Sequence, residues 1–240
     1  MTRTRIQPHI EGEVIYTEEH WQLLKMKREY ATRIISLFLR TGSIQPYLFG
    51  SVARGDIHKN SDIELIIFEH NLLPHVEILL SNNCNIIEKE IILATPRSTL
   101  KAAFRLDYGT EVVVPITPFT QLDYEFYRYG GLLDPKSVSN YRLRTLGVDK
   151  RLCMIIPTPK GHKEFSIIGR ETEVARLLGV SPEIIEERKK ILMKRDLQGR
   201  TGVYLRIRMD PNEDISRAIK RIADRDPAIR RLLKLRRVKF

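Results

Sequence analysis

The sequence predicts an α/β (α+β) protein, with helices packed against a mixed sheet and a mainly helical, basic part at the C-terminal end. Three observations carry that expectation. Short strand-like apolar runs alternate with amphipathic helical runs up to about residue 130. Pro157, Pro159 and Gly161 interrupt the chain near a composition shift. From Arg188 to Phe240 there are 18 Lys and Arg against 6 Asp and Glu, a net +12, whereas the rest of the chain has 23 against 24.

In order along the chain, Thr17 reads as an N-cap with Glu18 and Glu19 in the first turn, opening an amphipathic helix that stops at Gly42. Ile44 to Phe49 reads as a strand, Gly50 to Asn60 as a turn with a short helix, and Asp62 to Phe68 as a buried strand. Leu72 to Leu80 is a helix ended by Ser81-Asn82-Asn83. Strands follow at Ile86 to Ala94 and Ala102 to Leu106, then Tyr108-Gly109 turns into a strand from Glu111 to Ile116. Phe119 to Tyr129 is a helix closed by Gly130-Gly131. A domain boundary is expected between Lys150 and His162, dividing residues 1–150 from residues 151–240. Beyond it, Glu171 to Arg188 has the small residue, tight turn and core contact (Ala175, Gly179, Val180) of a helix-turn-helix-like hairpin. A β-hairpin around Gly199 to Arg208 and helices at Asp214 to Asp224 and Pro227 to Arg236 complete the reading.

A chain of 240 residues with 42% hydrophobic and 30% charged residues is long enough to bury a real core. Its apolar runs fall far short of the roughly 20 residues of a membrane helix, and no apolar segment follows the N-terminal Met1-Thr2-Arg3-Thr4-Arg5, so a cytoplasmic protein with no membrane partner is expected. The two cysteines, Cys84 and Cys153, lack CxxC spacing and indicate neither a disulfide framework nor a zinc site. The basic segment has two readings: a nucleic-acid partner whose phosphates it neutralises, or the solvated helical face of a charge-rich protein.

The chemistry gathers near residue 60. Side chains two apart on a strand share a face, so Asp62 and Glu64, with Cα atoms about 6.5 Å apart, present two carboxylates to one side, the arrangement that chelates a magnesium pair. Just upstream, Gly50 and Ser51 end a strand and open a turn whose N–H groups and hydroxyl suit phosphate oxygens; Gly55 lets the turn close, and Arg54 is either a phosphate fork or a solvated helix residue.

Leu48-Phe49-Gly50-Ser51-Val52-Ala53-Arg54-Gly55, followed after five residues by Ser61-Asp62-Ile63-Glu64-Leu65, resembles the DNA polymerase beta superfamily of nucleotidyltransferases, and within it the minimal nucleotidyltransferases. Glu64 stands where Asp is commoner in that family. The resemblance covers roughly residues 15 to 130 in architecture and about 18 residues in motif. It implies a nucleotidyltransferase-type mixed sheet, an NTP held by Gly50 and Ser51, and two Mg2+ ions, or Mn2+ in their place, held by Asp62 and Glu64. The implied reaction is transfer of a nucleoside monophosphate with release of pyrophosphate. The acceptor is expected to be a nucleic-acid or protein hydroxyl.

The superfamily also carries a third carboxylate on a later strand, used to activate the attacking hydroxyl. Related RNA-modifying enzymes have Asp three residues before a proline on that strand; here Val112 precedes Pro115 by three. Glu111 is the nearest acid, on the opposite face unless a bulge intervenes, with Glu90 and Asp107 as weaker candidates. The helical hairpin reads either as a packing or partner-binding unit or as a DNA reader; Glu183, Glu186 and Glu187 repel phosphate, and Arg188 sits where a helix-turn-helix has an apolar residue. Arg195, Arg200, Arg206, Arg208, Lys220, Arg221, Arg230, Arg231, Arg236, Arg237 and Lys239 form the basic footprint, with Tyr204 as a core tyrosine or a base-stacking one. His20, His58, His70, His75 and His162 read as surface or satisfied histidines, and Tyr124, Phe126, Tyr127 and Tyr129 as core packing more than base contacts. The alternative to an enzyme is a catalytically silent nucleotide-sensing regulator that binds nucleic acid.

Overall fold

The computed structural model describes residues 6–42, 44–199, 202–236 and 238. Arg200, Arg237 and Lys239 of the expected basic footprint lie outside the described residues. In chain order the elements are β1 (Glu11–Ile15), α1 (Glu18–Leu39), β2 (Tyr47–Phe49), α2 (Ser51–Arg54), β3 (Ile63–Ile66), α3 (Leu73–Asn83), β4 (Ile86–Leu93), β5 (Lys101–Leu106) and β6 (Thr110–Pro115). There follow α4 (Gln121–Gly130), β7 (Leu132–Leu133), β8 (Gly147–Val148), β9 (Cys153–Thr158), β10 (Gly161–Ser166), α5 (Glu171–Leu178), α6 (Pro182–Gln198), β11 (Leu205–Met209), α7 (Ile215–Arg225) and α8 (Pro227–Leu235). The protein is therefore a mixed α/β chain, and among the described residues no helix is long and apolar enough to cross a membrane.

Two compact units are each assembled from separate stretches. The first takes residues 6–33, Tyr47–Ile63 and Tyr124–Gly202; the second takes Ile34–Pro46, Glu64–Asp123 and the chain from Val203. In the first unit, β1, β10, β9 and β8 form an antiparallel sheet, with Val14 opposite His162 and His162 opposite Pro157. The Pro157 to Gly161 stretch, where the sequence predicts a domain boundary and a turn to helix, is the tip of the β9–β10 hairpin. Pro157 sits beside the tip at a position where the lost N–H donor is tolerated. Leu152, Cys153, Met154 and Ile155 are buried along β9. The expected helical hairpin is present as α5 and α6, joined at Gly179 in the left-handed region (φ 61°), with the Ser181 hydroxyl capping Ile184 N–H and Lys189 Nζ 2.5 Å from Glu171 Oε1.

In the second unit, β11, β4, β5, β6 and β3 are successive neighbours. β11 replaces the β-hairpin expected around Gly199 to Arg208: Leu205 to Met209 pair antiparallel with Leu93 to Lys89, so the run finds its partner more than a hundred residues earlier in the chain. β5 and β6 pair without interruption from Lys101 opposite Pro115 to Leu106 opposite Thr110. One face of this sheet buries Ala102, Phe104, Val112, Val114 and Ile91, whereas the other carries Glu88, Glu90, Arg105 and Glu111. Helix α3 runs through Ser81-Asn82-Asn83 to end at Cys84, because Asn83 Nδ2 donates to the Leu79 carbonyl and keeps the last turn helical. Helices α7 and α8 begin on aspartate caps: Asp214 accepts from Arg217 N–H and Asp226 from Ala228 N–H.

Candidate functional site

Gly50 enters α2 with φ 80° and ψ −149°, a conformation reserved for glycine, so the sharp exit from β2 requires that residue. Its N–H donates to the Gly131 carbonyl at 2.9 Å and its carbonyl accepts from Ala53 and Arg54 N–H, both at 3.0 Å. The Gly50 amide expected to hold phosphate is therefore engaged by the chain just after α4. The donors left open are the N–H groups of Ser51 and Val52, which have no acceptor among the described residues, and the half-buried Ser51 hydroxyl. Gly55 closes the turn at φ 99°, and a Cβ there would meet Arg144 Cδ at 2.6 Å.

Arg54 is 5% exposed. Its Nε and Nη2 grip both Asp56 oxygens at 2.9 Å, and Nη1 donates to the Gly130 carbonyl. The fork that the sequence aims at a phosphate is thus committed to holding the turn.

Asp62 and Glu64 stand as the strand periodicity requires. Asp62 is exposed, Ile63 buried, Glu64 half-buried and Leu65 buried, so the two carboxylates alternate with core residues on one face of the entry to β3. The chain is delivered to that point by a tight turn in which Ser61 N–H donates to the His58 carbonyl and His58 N–H to Ser61 Oγ. Lys27 Nζ donates to the Ser61 carbonyl at 2.7 Å, and the negative charge of Asp62 acts on it; burial nevertheless holds the Lys27 ammonium below its ordinary range.

The three candidates for a further acid are all placed in the second unit. The unbroken β5–β6 register sets Glu111 opposite Arg105 and on the face away from Val112 and Phe104, with no bulge to turn it. Arg105 in turn reaches Glu88 at 3.1 Å. Glu90 is buried and ion-paired to Arg208 and Arg206 at 3.2 and 3.6 Å, and Asp107 accepts from Asn85. Among the described residues no group of three or more His, Cys, Asp and Glu side chains is gathered for a metal. Asp62, exposed, and Glu64, half-buried, carry hard carboxylate oxygens of the kind that suit a hydrated Mg2+ ion.

Sequence reasoning missed Arg28. It is 1% exposed, and its guanidinium donates to the carbonyls of Val52, Ala53, Val138 and Leu143 at 2.8 to 3.3 Å, which satisfies the short α2 helix from behind. Burial pushes it down to about 10. The available signal was periodicity: Lys27 and Arg28 lie three and four residues after Leu24 and before Ala31, inside the stripe that must be buried. Of the histidines read as surface or satisfied, His162 is the buried one. His162 is 4% exposed and shares one hydrogen bond at Nδ1 with Tyr16 (2.7 Å), while its Nε2 makes no hydrogen bond and stands 3.6 Å from Glu164 Oε2. Tyr204, expected as a core tyrosine or a stacking one, is exposed. Comparison with known proteins adds no family: no protein-family model and no curated protein matches the chain.

Proposed function

We propose that the chain is a magnesium-dependent nucleotidyltransferase that transfers a nucleoside monophosphate from an NTP to a hydroxyl of a nucleic acid or protein. The observation that carries the reading is a glycine-only turn at Gly50, with open donors at Ser51, followed in the chain by the two alternating carboxylates Asp62 and Glu64. Ser51 N–H and Oγ hold triphosphate oxygens, while Arg54 and Arg28 keep the turn in shape without touching the nucleotide. Asp62 and Glu64 are the residues that would hold Mg2+, which when bound supplies charge neutralisation on the leaving pyrophosphate and acidifies the attacking hydroxyl. In the transfer the acceptor oxygen forms a bond to the α-phosphorus, the bond to pyrophosphate breaks, and the hydroxyl proton passes to solvent. The acceptor is assigned to nucleic acid on the strength of the basic C-terminal segment.

A second reading is favoured by a separate observation: Glu111 faces Arg105 on an unbroken register, and no third acid joins Asp62 and Glu64 among the described residues. On that reading the turn senses a nucleotide without catalysis. Incubation with each α-labelled NTP, Mg2+, and RNA, DNA or no acceptor separates the two. The transferase reading expects label on one acceptor, lost in Asp62→Asn and in Glu64→Gln; nucleotide binding with no label on any acceptor would leave the silent sensor in its place.

A further inference from the structure

The geometry points to a second anion site in the first unit, a phosphate-binding site formed by Arg188 of α6 and Tyr129 of α4. Ile184, Ile185 and Leu192 are the buried stripe of α6, and Arg188 falls within that stripe, four residues from Ile184 and four from Leu192. Its guanidinium carbon stands 4.8 Å from the ring centre of Phe126. Phe126 and Tyr129 are three residues apart on α4 and share a face of that helix, so the cation on Phe126 lies over the side that also presents Tyr129. Tyr129 is 2% exposed and its hydroxyl has no hydrogen-bond partner; the Arg188 Nε is likewise buried and unpartnered.

Two donors without an acceptor, one in a tyrosine almost wholly buried, are costly in a folded protein. A carboxylate normally settles such an arginine, yet among the described residues the acid whose charge bears on Arg188 is its sequence neighbour Glu187, and Arg195 adds a like charge from two turns on. The charge of Arg54 also acts on Tyr129. Asp149, the acid that acts on Tyr129, is already bound by Arg151 and by the Cys153 N–H. Glu125, one turn from Tyr129, accepts from the Ser181 N–H and hydroxyl. What is missing is an acceptor of negative charge able to take the arginine fork and a neutral phenol together, and a phosphate group has that chemistry. The phenol stays neutral because burial raises it well above its ordinary range.

The phosphate can belong to a nucleic-acid backbone or to a small molecule, and the site does not depend on the transferase reading. Both test variants leave the Gly50–Ser51 turn intact, so differences from wild type report on this site alone. Tyr129→Phe removes only an unpartnered hydroxyl, and Arg188→Met keeps a straight apolar side chain in a buried stripe, so both remain folded by circular dichroism. Inorganic phosphate and a single-stranded oligonucleotide are titrated separately, at matched ionic strength, against wild type and both variants. The expected result is a dissociation constant at least tenfold higher in Arg188→Met and at least threefold higher in Tyr129→Phe. Weakening of phosphate alone identifies a small-molecule site, and weakening of both identifies a backbone contact. Unchanged affinity for both probes in either variant overturns the proposal and leaves a buried water as the partner of Tyr129.

Discussion

At the scale of single residues, the turn at Gly50 is held by a cation that no motif announces. Arg28 serves four carbonyl groups, two of them on α2. Arg28→Ala strands those acceptors in the interior and is expected to destabilise the protein by about 3 kcal/mol in urea unfolding. Arg28→Lys is expected to recover only part of that, since an ammonium cannot span the same fork. Equal urea midpoints for Arg28→Ala and wild type would show the contacts to be dispensable. The sequence made Asp62 and Glu64 legible because alternation survives any tertiary context, whereas the roles of Arg54 and Arg28 depended on acceptors (Gly130, Val138, Leu143) that lie 76 to 115 residues away in the chain.

At the scale of elements, the helices were the most legible parts. α1, α4, α7 and α8 lie within a few residues of their sequence limits because caps and periodicity are local signals. β10 and β11 were read poorly, since Gly, Pro and Arg at their ends resemble loop or hairpin signals until β9 and β4 supply the ladder. β10 carries a testable consequence in His162. Burial holds its imidazole below the ordinary range, against the pull of Asp56 and Glu164. A base with a depressed folded pKa leaves the unfolded chain with more bound protons just below pH about 6.5, so stability is complete above that value and falls as pH drops through it. Unfolding free energy measured from pH 7.5 to 5 is expected to lose part of its downward slope in His162→Gln. An identical slope would place the proton uptake elsewhere.

At the scale of the whole molecule, the basic excess from Arg188 to Phe240 was plain in the sequence, but its use was not. Arg206, Arg208 and Arg221 are partnered by Glu90, Glu88 and Glu213, while Lys220 and Arg231 are exposed and carry no ion pair among the described residues. Part of the charge is thus consumed in holding β11 to β4, and only the remainder is available to a polyanion. A division at residue 150 follows from composition, which does not register strand pairing between distant stretches such as β10 with β1 and β11 with β4. On the proposed function, Gly50–Ser51 and Asp62–Glu64 serve one metal–triphosphate ligand. Electron paramagnetic resonance of Mn2+, titrated with a non-hydrolysable NTP analogue, tests this directly. Wild type is expected to bind Mn2+ at least tenfold more tightly with the analogue present, and the Asp62→Asn/Glu64→Gln protein to lose that enhancement; equal enhancement in both proteins would contradict the account.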